Sequence, residues 1–168
     1  MEDVVAAVLR QWQQLNPGLD TAPMALIGRL NRCSALLQQA TDAPLTDAGL
    51  TRPEFDVLGT LRRVDRDLTP SRLARETFSS GAAVTKRVRL LAERGLVERH
   101  QDARDRRVVH LSLSDEGRAL IDRLLPEQLA YERSLLSGID EQRQGELSEG
   151  LSELLVVLEG RLGGLLPY

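Results

Sequence analysis

The sequence is poor in the residues that advertise covalent or metal chemistry. Of 168 residues one is a cysteine, Cys33, which excludes an intrachain disulfide framework. Two are histidines, His100 and His110, both inside one strand-like stretch, and no Cys/His metal spacing, glycine-rich phosphate loop or nucleophile elbow occurs. An enzyme, a metal site and a cofactor are therefore not expected. Aromatic residues make up 3% of the chain, and Trp12, Phe55 and Phe78 are its only large rings before residue 130. The core must then be built from Leu, Val and Ala, a composition that favours helices. Neither a charged-then-apolar leader nor an apolar run of membrane length is present, so a soluble, cytoplasmic chain with no membrane partner is expected.

What is there is 42% hydrophobic content, enough for one domain or one domain with helical extensions. The net charge of -3 averages over regions of opposite sign: residues 60–110 hold thirteen Lys or Arg against seven Asp or Glu, and the rest of the chain holds nine against eighteen. A basic middle between acidic ends points to a face that binds a polyanion.

Val5, Val8, Leu9, Trp12 and Leu15 recur at helical spacing and "NPG" at 16–18 stops them, which predicts a short first helix. Leu26, Ile27, Leu30, Cys33 and Leu37 form one stripe of a second helix over 21–40, with "TDAPLTDAG" as its closing segment. A third helix starts with Thr51 as N-cap and turns Phe55, Leu58 and Leu61 inward. Two short helices follow in close succession, one starting at Thr69 or Pro70, the other at Ser79 or Ser80 and stopping at Gly95. In the latter Val84, Val88, Leu91 and Leu96 keep an inward period, while Ser80, Thr85, Lys86 and Arg89 lie off it. Helix, tight turn and a second helix with a small, polar front are the parts of a helix-turn-helix that reads a DNA major groove.

"LVERH" and "RVVHLSLS" are strand-like and are joined by "DARDRR", in which five of six residues are charged. A helix-turn-helix followed by a hairpin is a winged helix. Its tip would carry Arg106, with Arg104 or Arg107 beside it, to a phosphate or a narrow minor groove, and Asp105 would hold a neighbouring arginine extended through a fork-shaped ion pair. Ser114 then caps a long helix that Pro126 should kink, and Leu147, Leu151, Leu154, Leu155, Leu158 and Leu162 form the stripe of a last helix. Apolar helices at both ends exceed what a winged helix alone needs, so a partner subunit is expected to cover them.

"LTRPEFDVLGTL", "LTPSRLA", "SSGAAVTKRVRLLAERGLVER" and "DARDRRVVHLSLSDEGRAL", in that order, resemble the MarR (multiple antibiotic resistance regulator) family over roughly residues 21–163. The resemblance implies a mainly α fold with a small β-hairpin wing: a winged helix-turn-helix at 50–114, and helices at 1–49 and 115–168 forming a dimerisation domain. It implies a homodimeric transcriptional regulator, usually a repressor, on a pseudo-palindromic double-stranded operator. Arg72, Ser79, Ser80, Ala82, Thr85, Lys86, Arg89, Arg104, Arg106 and Arg107 are then the expected DNA contacts. The additional first helix, with Trp12 on it, and Asp56, Arg87 and Arg99 are similar to the urate- and trans-aconitate-responsive branch. There an aromatic, an acidic and two basic residues at matching positions line a pocket for a small organic anion such as citrate, trans-aconitate or urate. Two other readings stay open: a thiol redox sensor at Cys33, although the apolar stripe favours a small core residue and no tyrosine precedes residue 131 to activate it, and a ligand-independent architectural DNA binder.

Overall fold

A computed structural model describes residues 2–40, 43–64 and 66–162 and divides the chain into two compact units, Met1–Asp42 and Ala43–Tyr168. The first unit is a helix pair, α1 (Val4–Leu15) and α2 (Ala22–Ala40). Asp3 caps α1 by accepting the Ala6 N–H at 2.9 Å. That bond, reinforced by Arg29 of α2 at 3.0 Å, holds the Asp3 carboxyl below its ordinary pKa. Gly28 lets α2 approach Val5, whose side chain would lie 3.1 Å from an added Cβ. Neither helix buries a residue, so Cys33, expected in a core, is exposed instead: its stripe faces no other element of its unit closely enough to be covered.

The second unit contains α3 (Ala43–Asp47), α4 (Arg52–Val64), α5 (Pro70–Glu76), α6 (Gly81–Glu93), β1 (Val97–Gln101), β2 (Val109–Leu113), α7 (Asp115–Leu135) and α8 (Glu141–Leu162). The closing segment expected after the second helix in fact holds α3, a single turn whose Leu45 is fully buried. Five residues are too few for periodicity to reveal, and burial of one leucine against the core is what orders them. The start of α4 follows the sequence pattern: the Thr51 N–H and hydroxyl both donate to Glu54 Oε2 at 2.8 Å, one half of a capping box. Phe55, Leu58 and Leu61 join Leu73 of α5, Val84, Val88 and Leu91 of α6, Leu111 of β2, and Ile121 and Leu124 of α7 in one core.

Three helices of this unit end alike. After α3, α5 and α6 the chain makes the paired bonds of a Schellman cap: Leu50 N–H to Leu45 O and Gly49 N–H to Thr46 O; Ser79 N–H to Ala74 O and Phe78 N–H to Arg75 O; Leu96 N–H to Leu91 O and Gly95 N–H to Ala92 O. The first bond of each pair spans five residues, which requires a left-handed residue next to last. Gly49 (φ 65°), Phe78 (φ 49°) and Gly95 (φ 72°) occupy that place.

β1 and β2 pair antiparallel with His100 opposite His110 and Arg99 opposite Leu111. Leu111 is the fully buried residue of β2, with Val109 and Leu113 half-buried on the same side. Leu68, ahead of α5, exchanges two backbone hydrogen bonds with Leu111 (3.0 and 2.8 Å) and so anchors the hairpin to the helix-turn-helix. α7 continues as helix through Pro126 to Leu135. α8 buries none of its residues, and its leucine stripe, Leu154 excepted, is exposed.

Candidate nucleic-acid interface

Thr69 caps α5 by accepting the Arg72 N–H at 3.3 Å, which fixes Arg72 in the first turn with Glu76 3.9 Å away. Ser80 caps α6 in the same way through the Ala83 N–H at 3.3 Å. Val84 and Val88 pull one face of α6 into the core, and that leaves Ser80, Ala82, Thr85, Lys86 and Arg89 exposed on the rest of the helix. The Thr85 hydroxyl donates back to Gly81 O at 2.8 Å, leaving its lone pairs and methyl outward, and Arg89 lies 3.7 Å from Glu93. Ser79 is more constrained: its hydroxyl donates to Thr77 O at 3.1 Å and accepts from Arg87 Nη1 at 2.9 Å.

The hairpin tip is built by aspartates. Asp102 Oδ1 accepts the N–H groups of Arg104 (2.7 Å) and Asp105 (2.9 Å), and its Oδ2 lies 3.1 Å from His110 Nε2. Those two backbone donors, with the imidazole third, lower the Asp102 pKa to about 2. Asp105 does not form the expected ion pair with an arginine side chain: its Oδ1 instead accepts the Arg107 N–H at 3.0 Å. A short carboxylate reaches a backbone amide two residues on more readily than a long, solvated guanidinium. Arg104, Arg106 and Arg107 are exposed, and among the described residues none of them forms an ion pair.

Sequence reasoning missed the residues that brace this wing from behind. His100 and His110 stack at 5.6 Å between ring centroids, and His100 Nε2 lies 2.7 Å from Asp67 Oδ2 in the loop before α5. The signal was the placement of two histidines equally far from a turn, which puts them opposite each other. Ser114, the expected cap of α7, also serves as a brace. Its hydroxyl donates to Gly95 O at 2.6 Å and accepts the Gly117 N–H at 3.0 Å, joining the end of α6 to the start of α7.

The four residues assigned to an anion are placed as follows. Asp56 is paired with Arg52 at 3.1 Å, Arg87 is half-buried on Ser79, and Arg99 is exposed on β1. Among the described residues no hydrogen bond or ion pair joins these three to one another. Trp12 lies exposed on α1, in the first unit.

Two short helices at a tight turn, an exposed polar and basic face on the second, and a hairpin with arginines at its tip define a winged-helix protein. Residues 48–108 match the MarR family. The chain is 35% identical to the HTH-type transcriptional regulator PecS of Dickeya dadantii over 145 residues, covering 85% of this chain and 87% of PecS. It is also 29% identical to an uncharacterized HTH-type transcriptional regulator of Bacillus cereus over 127 residues, covering 75% and 84%. The chain therefore belongs to the MarR family of winged-helix transcriptional regulators. The same fold is found in BpsR of Bordetella bronchiseptica, whose DNA binding is regulated by 6-hydroxynicotinic acid (TM-score 0.68, 24% identity, 76% and 90% of the two chains). It is found again in MepR of Staphylococcus aureus in complex with DNA (TM-score 0.69, 24% identity, 77% and 95%).

Proposed function

We propose that this regulator is a homodimeric repressor that binds a pseudo-palindromic duplex operator and leaves it when a small organic anion binds. Ser80, Ala82, Thr85, Lys86 and Arg89 enter the major groove, Arg72 and Ser79 meet flanking phosphates, and Arg104, Arg106 and Arg107 reach the backbone or minor groove from the wing. The observation that carries the reading is the tip itself: three exposed arginines without ion-pair partners among the described residues, on a turn ordered by backbone bonds to two aspartates. Guanidinium groups left unneutralised beside an exposed polar helix face suit phosphate.

A second copy of the chain suits the apolar surface. Leu125, Leu129 and Leu135 of α7, Leu136 just after it, and Leu147, Leu151, Leu155 and Val156 of α8 are all exposed in the single chain, as are Val4, Val8, Leu26 and Ile27 of the first unit. Soluble monomers rarely leave so many large side chains uncovered. Mobility shift with the DNA upstream of the protein's own gene against random duplex of the same length, with sedimentation of the free protein, tests both. Equal affinity for the two DNAs refutes an operator reader, and a monomer at micromolar concentration refutes the dimer.

The anion response is favoured by the place of Arg87. Its bond to Ser79 crosses the turn that leads into α6, so an anion that takes the guanidinium withdraws that bond from the front of the reading helix. Arg99 supplies a second cation and Asp56 a carboxylate that orients Arg52. BpsR, of the same fold, responds to a planar carboxylic acid, which is the ligand chemistry two guanidiniums hold best.

A further inference from the structure

The Schellman ends of α3 and α6 follow one rule: glycine takes the left-handed place, and the next residue, Leu50 or Leu96, is buried. The end of α5 inverts it. The residue after the left-handed place is Ser79, and the left-handed place itself holds Phe78, with φ 49° and 79% of its surface exposed. A phenylalanine there accepts backbone strain that glycine would avoid and gains no burial within the chain. Strain without local compensation marks residues kept for a contact outside the fold. Phe78 stands two residues before Ser80, the cap of α6, in the turn of the helix-turn-helix. The helix end it introduces carries the positive pole of α6, and Arg75, Lys86 and Arg89 are exposed on the two helices it joins. A lone exposed ring in such basic surroundings fits a polyanion with apolar groups of its own, and in the major groove of DNA those are the thymine methyls.

We propose that Phe78 is a specificity-determining DNA contact that packs on a thymine methyl at the edge of each half-site. The proposal rests on the DNA-binding reading above, and its test separates the two. Full-length wild-type protein and Phe78→Gly are each used to select from a pool of duplexes with a randomised centre, and the selected sequences are measured by fluorescence anisotropy. Wild type selects an inverted repeat with a fixed thymine in each half. Phe78→Gly unfolds at a temperature no lower than wild type, binds the wild-type consensus about tenfold more weakly, and loses the preference for that thymine. Phe78→Leu, which keeps an apolar side chain, retains the preference. Replacing the thymine by deoxyuridine weakens wild type about fourfold, as expected for one lost methyl contact, and leaves Phe78→Gly unchanged. The same affinity and preference in Phe78→Gly, or no response of wild type to deoxyuridine, overturns the proposal and leaves the operator reading intact. Weakened binding that accompanies loss of the dimer in sedimentation also overturns it, by making Phe78 a subunit contact. If wild type selects no sequence at all, both readings fall.

Discussion

Gly117, in the first turn of α7, lies so close to Leu96 that a Cβ on it would overlap the Leu96 carbonyl oxygen and carbon. The same carbonyl accepts the Ser114 N–H at 3.2 Å, so neither partner can retreat without opening the joint between α6, β1 and α7. Gly117→Ala is expected to destabilise the protein by about 1–3 kcal/mol, the cost of overpacking a closed contact. Gly59, in the interior of α4, has no atom within 4 Å of an added Cβ, and Gly59→Ala is expected to stabilise by about 0.5–1 kcal/mol. Urea denaturation of the two variants reads both signs.

Arg106→Ala should weaken operator binding by about 1–3 kcal/mol, the size of a lost groove contact. Lys86→Ala distinguishes two roles. If Lys86 meets a phosphate, binding falls alike on all sequences and the slope of log affinity against log salt drops by about 0.9; if it reads a base, one operator position becomes degenerate. Anisotropy titrations at several salt concentrations, on wild type and both variants, measure these effects.

The wing tip should resist acid further than an ordinary carboxylate turn. Asp102 has its pKa lowered from 3.8 to about 2 by the Asp105 and Arg104 N–H groups and by His110, so the fold favours its charged form. Its contribution is complete above pH 3.8 and is lost as pH falls through about 2. Amide protection of Arg104 and Asp105, followed by NMR, should hold from neutral pH to about pH 3 and collapse below that. Asp102→Ala should expose both amides at neutral pH; protection that survives the substitution would show that the aspartate does not order the tip.

Citrate, trans-aconitate or urate should bind with measurable heat and lower DNA affinity; Arg87→Ala should abolish the heat and the response to anion, and should itself weaken DNA binding because it loses the same bond to Ser79. The same titrations on Trp12→Ala, Asp56→Asn and Arg99→Ala test the remaining residues that the family resemblance assigns. Equal heats in wild type and Arg87→Ala would remove the anion site. Peroxide treatment checks the thiol alternative: DNA binding lost in wild type but kept in Cys33→Ser would move the sensor to Cys33.

Whatever depends on neighbours three or four residues away was legible in the sequence. Thr69, Ser80 and Ser114 are caps where a hydroxyl residue precedes an apolar period, Thr51 stands before α4 with its N–H and hydroxyl on Glu54, and Val84, Val88 and Leu91 are buried where that period places them. What depends on other segments was not. Leu45 orders a five-residue helix only because the core covers it, Asp67 meets His100 across 33 residues, and Cys33 sits on an apolar stripe that its own unit does not cover. Asp105 was assigned the right neighbourhood and the wrong partner, because composition shows opposite charges and not which backbone amide lies nearer. Phe78 entered the sequence reading only as one of few large rings, and its left-handed backbone follows from bonds to Ala74 and Arg75 that only the folded turn displays.

Two guanidiniums tie α4 to α7 about ten residues apart on each helix: Arg52 holds Glu132 at 3.1 Å and Arg62 holds Asp122 at 2.6 Å. All four side chains are partly exposed, so neither pair adds much to stability. Their effect is on register. Ten residues of helix span about 15 Å, and two pairs that far apart are satisfied together in only one antiparallel register of α4 on α7, which one central contact would not select. α4, held in that register on α7, also packs on α6, so the placement of α7 bears on the helix that follows the tight turn.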